Sequence, residues 1–152
     1  MNAIDWDESL VLGVRAMDDD HRQLISCYND LFAEFFAGAG PVVVNRALVE
    51  LFDHTRDHFL REEALMEGAG YPDLASHREE HGILLQSARM LQEKTLADES
   101  HPITGYTLSF LRAWLIVHIL EADRELAEYL LHPYVAGEGD DALQLDWQMV
   151  DA

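Results

Sequence analysis

The stretch HFLREE, residues 58–63, sets a histidine and a carboxylate four positions apart among Phe59, Leu60 and the following Leu65. Four residues make about one helical turn, so His58 and Glu62 point to the same side of a helix. Their neighbours decide which side. Val44, Ala47, Leu48, Leu51, Phe52, Thr55, Phe59, Leu65 and Met66 recur at helical spacing up to the break at EGAGYP, and both polar residues fall inside that apolar stripe. They therefore face an interior, where a histidine and an ionised carboxylate need compensating partners.

Three further stripes converge on the same interior. Met17, Leu24, Ile25, Tyr28, Leu31, Phe32 and Phe35 run to AGAGP and include His21. A third helix, predicted to begin near Pro72 because proline suits a first turn, carries Leu74, Leu84, Leu85, Ala88 and Leu91 and sets His77 and His81 in the gap of that face. A fourth, predicted from near Pro102, runs through Leu108, Leu111, Leu115, Ala122, Leu126 and Tyr129 to HPY, with His118 in the stripe and Asp123 at its edge. No strand pattern competes. Four amphipathic helices with short connections predict an all-α, antiparallel up-and-down four-helix bundle. Residues 1–132 form this bundle with its N-terminal arm, and residues 133–152 form an acidic and apolar C-terminal extension. There Leu143, Leu145, Trp147, Met149 and Val150 follow a glycine-rich acidic hinge, a pattern that suits a strand, a partner-binding segment or a poorly ordered tail.

Composition narrows the function. With 29 acidic residues against 10 Lys plus Arg in 152, the formal charge is −19, which repels phosphate backbones and anionic lipid headgroups. Nucleic-acid and membrane-surface roles are discounted. No segment approaches the roughly 18 apolar residues of a membrane span, and the opening MNAIDWDESL lacks the basic and apolar regions of a secretory signal. Cys27 is the single cysteine, which excludes an intrachain disulfide and thiolate metal clusters. A cytoplasmic location is expected.

The inward donors are His21, His58, His77, His81 and His118, with the carboxylates of Glu62 and Asp123. An ionised carboxylate in an apolar interior costs several kcal/mol or more unless paired, and no Lys or Arg shares the inner stripes. A metal centre removes the difficulty. The donors are too many for one tetrahedral zinc. Five imidazoles, two bridging carboxylates and a bridging oxo or hydroxo group fill all but one of the positions that two octahedral iron ions offer, and the vacancy suits a small diatomic molecule. No histidine has a glutamate three positions earlier, as ferritin-like sites require, and HExxH is absent. Imidazole-rich ligation favours the diferrous state, hence reversible binding over aggressive oxidation. One spacing strains the scheme: His118 and Asp123, five residues apart, lie about 140° apart on an ideal helix. Either Asp123 reaches across or the helix holds a π-bulge.

The segments MDDDHRQL around His21, HFLREEALM from His58, HREEH from His77 to His81 and WLIVHILEAD from Trp114 to Asp123 resemble the hemerythrin family, specifically its single-domain bacterial branch. The H-x3-E, H-x3-H and H-x4-D spacings in this order carry the resemblance. It implies that His77, His81 and His118 bind one iron, that His21 and His58 bind the other, and that Glu62 and Asp123 bridge them. It also implies O2 binding at the five-coordinate iron, for carriage, storage or delivery to an oxygen-consuming enzyme, rather than catalysis. Sensing of O2 or redox state through a signalling partner, and peroxide or nitric oxide chemistry, are the alternatives.

Other residues invite the same reading. His54, one turn before His58, is expected beside the ligands or at the surface. His101 and His132, each before a proline, are expected to be structural or solvated. Asp18 is expected as a helix N-terminal charge or cap rather than a hydrogen-bond partner of a ligand. Phe59, Leu115 and Ile119 lie beside candidate ligands and are candidate walls of an O2 pocket.

Overall fold

The computed structural model describes residues 2–97 and 103–132. Helix α1 spans Arg15–Phe36, α2 Pro41–Ala69, α3 Leu74–Ala97 and α4 Gly105–His118. A π-helical segment, Ile119–Asp123, then leads without a break into α5, Arg124–Leu131, so that these three pieces form the fourth rod of the bundle. Every regular element among the described residues is helical. No helix among them is long and apolar enough to cross a membrane. His101, Pro102 and the expected extension 133–152 lie outside the described residues.

Local chemistry sets the helix limits. Pro41 opens α2, and Gly70 closes it in a left-handed conformation (φ 64°) that leaves its N–H free to reach back to Glu67 and Met66. The third helix starts at Leu74 rather than at Pro72, because residues 72 and 73 form the turn that reverses the chain. The fourth starts at Gly105 rather than near Pro102, since Thr104 and Thr107 form a reciprocal capping box at its end.

The inner faces pack as one core containing Leu24, Leu31, Leu48, Leu51, Met66, Leu108 and Leu126. Tyr28 crosses it, donating its hydroxyl to the Leu108 carbonyl at 3.2 Å and tying α1 to α4. The N-terminal arm is pinned to α1 by Asn29, which accepts from the Ile4 N–H and donates to the Ile4 carbonyl, both at 2.8 Å. Asp18 holds the end of that arm. Its carboxylate, buried, accepts from the backbone N–H groups of Leu12 at 2.8 Å and Gly13 at 3.1 Å. It is thus a clasp on the preceding loop, not a cap of its own helix.

Removing the clasp leaves two backbone donors without their acceptor. Asp18→Ala is expected to cost about 1–3 kcal/mol in urea denaturation, with bound metal unchanged. Metal loss at unaltered stability would instead make Asp18 a partner of the His21 side.

Candidate metal centre

All seven inward donors expected from the sequence meet in the middle of the bundle. Helix α1 delivers His21, α2 His58 and Glu62, α3 His77 and His81, and the fourth rod His118 and Asp123; every one is buried. Their donor atoms form two groups, each within 4.8 Å: Glu62, His77, His81, His118 and Asp123, and then His21, His58, Glu62 and Asp123. His54, half-buried one turn from His58, belongs to neither.

The two carboxylates stand between the groups. Glu62 turns Oε1 toward His77 Nε2 at 2.7 Å and His81 Nε2 at 3.1 Å, and Oε2 toward His58 Nε2 at 3.0 Å. Asp123 turns Oδ1 toward His118 Nε2 at 3.0 Å and His77 Nε2 at 3.2 Å, and Oδ2 toward His21 Nε2 at 2.9 Å. Each carboxylate therefore offers one oxygen to the three-histidine side and the other to the two-histidine side. The π-helical segment makes this possible. Its i to i+5 period brings position 123 back under position 118, where an ideal α-helix would rotate it away.

Sequence reasoning missed the carboxylates behind the histidines. His58 donates from Nδ1 to Asp20 at 3.0 Å, His118 to Glu80 at 3.0 Å, and His81 to Glu63 at 3.3 Å. Such partners fix the ring and leave Nε2 for the interior. Each comes from the preceding helix, α1 to α2, α2 to α3, and α3 to α4, and each adjoins a candidate ligand in sequence, which was the available signal. Arg61 neutralises Asp20 through two bonds of 2.9 and 2.8 Å, and Arg78 holds Glu63 at 2.9 Å. His21 differs, because its Nδ1 is buried without a hydrogen-bond partner.

Apolar side chains close the centre. Phe59 stacks on the His81 ring with centroids 3.8 Å apart and planes 5° apart. With Leu24, Trp114, Leu115 and Ile119 it encloses a chamber of about 10 Å³ against His21, His58, His118 and Asp123. That is about the least space that holds one water-sized molecule.

Electrostatics point the same way. Burial pushes the His58 imidazole down, but Asp20 and Glu62 against its two nitrogens outweigh burial and hold it at about 9. Burial is likewise overcome at His77 by Asp123 and Glu62, to about 9, and at His118 by Asp123 and Glu80, to about 10. Burial and Asp123 push Glu62 up, yet His58, His77 and His81 bring it to about 2; burial also raises Asp123, which His118, His21 and His77 hold well below the usual carboxylate range. Without metal, protons on His58, His77 and His118 balance the two carboxylates. The donor set fits two cations: Nε2 of His21, His58, His77 and His118, with Oε2 of Glu62 and both oxygens of Asp123, are buried and converge without forming hydrogen bonds.

The pH dependence of the metal-stripped protein follows. The raised histidines contribute stability that is full below about 6.5 and lost as pH rises through 9 to 10. The depressed Glu62 contributes above about 4.5 and loses that contribution as pH falls toward 2. Urea midpoints of the stripped protein should peak between these limits and decline from pH 6.5 to 9. A flat profile across that alkaline window would contradict the charge assignment.

Comparison with known proteins places this centre. The sequence pattern of the Hemerythrin HHE cation binding domain matches residues 12–130. The chain is 29% identical over 123 residues to the bacteriohemerythrin of Stenotrophomonas maltophilia, covering 81% of this chain and 78% of that protein. With the bacteriohemerythrin of Methylococcus capsulatus it shares 33% over 107 residues, covering 70% and 80%, and with that of Ralstonia nicotianae 31% over 130 residues, covering 86% and 90%. A crystal structure of wild-type hemerythrin superposes with a TM-score of 0.75 at 30% identity, covering 83% of this chain and 96% of that one. The chain therefore belongs to the hemerythrin family, whose members are non-haem iron proteins that hold a di-iron centre and bind O2.

Proposed function

We propose that this protein binds O2 reversibly, as a carrier, store or supplier of oxygen, at a pair of irons held by His77, His81 and His118 on one side and His21 and His58 on the other. Glu62 and Asp123, shared by both donor groups, would each offer an oxygen to both ions. The observation that carries this reading is the division of each carboxylate between the two histidine groups, one oxygen to each. When bound, the two ferrous ions supply the two electrons that O2 takes up. The protein's part is to position, neutralise and exclude.

Three histidines against two leaves the His21 and His58 side with the smaller protein donor set, and the apolar chamber touches both of its histidines as well as His118. Phe59, Leu115 and Ile119 form its wall there and keep out water and anions. Asp20, Glu63 and Glu80 hold the rings of His58, His81 and His118 so that each presents Nε2 inward. Neutral imidazoles outnumber the carboxylates, so the ligand set adds little negative charge. Such a set favours return to the ferrous state over irreversible oxidation.

The test pairs oxygen reversibility with the chamber wall. Ferrous-loaded protein should develop visible absorption under O2 and lose it on degassing, with about two irons per chain. Leu115→Ala should retain both irons but decay faster to the ferric form, and added azide should speed that decay more than in the parent. Irreversible oxidation of the parent in a single exposure would overturn reversible carriage in favour of redox sensing or catalysis. Equal decay rates at full iron content would remove Leu115 from the pocket wall.

A further inference from the structure

The centre is closed, yet ions must reach it, and two of the cavities among the described residues offer contrasting approaches to the proposed ligands. The chamber behind Leu115 has about 10 Å³ of room, and apart from the proposed ligands its walls are Leu24, Phe59, Trp114, Leu115 and Ile119. A hydrated divalent cation would have to lose its water there with no oxygen to replace it before Asp123 at the inner wall. The other cavity, about 480 Å³, opens between α1 and α2, with Ala16, Met17, Ala64 and Leu65 on its sides. Carboxylates descend through it. The side chain of Asp19 is 59% exposed, that of Asp20 20%, and that of Glu62, at the inner end beside His58, 0%. There Glu62 Oε2 and His58 Nε2, 3.0 Å apart, are buried and form no aligned hydrogen bond.

Arg61 closes this path. Its guanidinium holds both oxygens of Asp20, while the same Asp20 Oδ2 accepts from His58 Nδ1. Because the Arg61 side chain is 55% exposed, it can swing into water at little cost. Asp20 is then left with a free oxygen facing the cleft.

We propose that the α1–α2 cleft is the route by which ferrous iron reaches the centre, with Asp19, Asp20 and Glu62 as successive oxygen ligands and Arg61 as the counter-charge that occupies Asp20 between passages. The inference rests on the ligand set given under the proposed function. It concerns the rate of filling, whereas that reading concerns the final content, so one experiment separates them.

Metal-stripped protein is mixed with Fe2+ under anaerobic conditions, and both the uptake rate and the final iron per chain are recorded. Removal by a ferrous chelator is followed in parallel. Arg61→Ala should fill and empty faster, by roughly the two- to fivefold that breaking a half-exposed ion pair allows. Asp19→Asn and Ala64→Phe should fill more slowly and reach the parent's iron content, and Leu115→Ala should fill at the parent rate. In the parent, added salt should slow uptake by screening the acidic mouth. Should Ala64→Phe perturb the helix packing, the exposed Asp19→Asn still decides. Parent-like rates in Asp19→Asn and Ala64→Phe, or faster filling in Leu115→Ala, would overturn the route. A final content other than a pair of irons in the parent would instead overturn the ligand set.

Discussion

Two carboxylates, Glu62 and Asp123, lie in the interior of a helical bundle with no exposed side-chain surface, and everything around them serves to neutralise that charge. An isolated buried carboxylate is too costly for a domain of ordinary stability. Among the described residues no lysine or arginine pairs with these two. The charge is met by imidazoles: His58, His77 and His118, raised by the carboxylates, hold protons in the metal-free protein, and the donor atoms of all five histidines converge where cations would lie. One arrangement thus accounts for the raised histidines, the depressed carboxylates and the fit to a pair of irons.

The bundle converts this requirement into geometry. Each rod contributes at least one donor, so the centre joins all four, and the carboxylates behind the rings pass from one helix to the next. Asp20 reaches His58, Glu63 reaches His81, and Glu80 reaches His118. Misplacing one helix would therefore disturb a ligand on its neighbour. Asp123 depends on a departure from regular helix, since the five residues between it and His118 complete a turn only in the π-helical segment. The helix gives up ideal hydrogen bonding there, at the one place where a ligand would otherwise face away.

The legible parts of the sequence were those governed by period. Apolar stripes at helical spacing pointed to four helices, and polar residues inside the stripes pointed to six of the central donors, with Asp123 at the edge of its stripe as the seventh. Helix starts were read less well. Pro72 and Pro102 drew attention as first-turn residues, but the chain uses residues 72 and 73 to turn, and the Thr104–Thr107 capping box begins the fourth rod. Asp20, Glu63 and Glu80 were passed over because their partners lie on other helices, and spacing along one chain does not reveal a contact between two. The strained His118 to Asp123 spacing was visible, while the choice between a long reach and a π-bulge depended on backbone hydrogen bonds that no residue type announces. Asp18, expected as a helix N-terminal charge or cap, does stand in the first turn of α1, but its role as a clasp was hidden for the same reason: its partners, Leu12 and Gly13, are backbone groups in a loop.

The central claim is that Glu62 and Asp123 each hold two irons at once. Low-temperature electron paramagnetic resonance of the fully oxidised, iron-loaded protein tests it most directly, because ions joined by shared ligands couple their spins. Two ferric ions sharing both carboxylates should give an almost silent spectrum at full iron content. A high-spin ferric signal accounting for all of the iron would mean two independent ions and would contradict it.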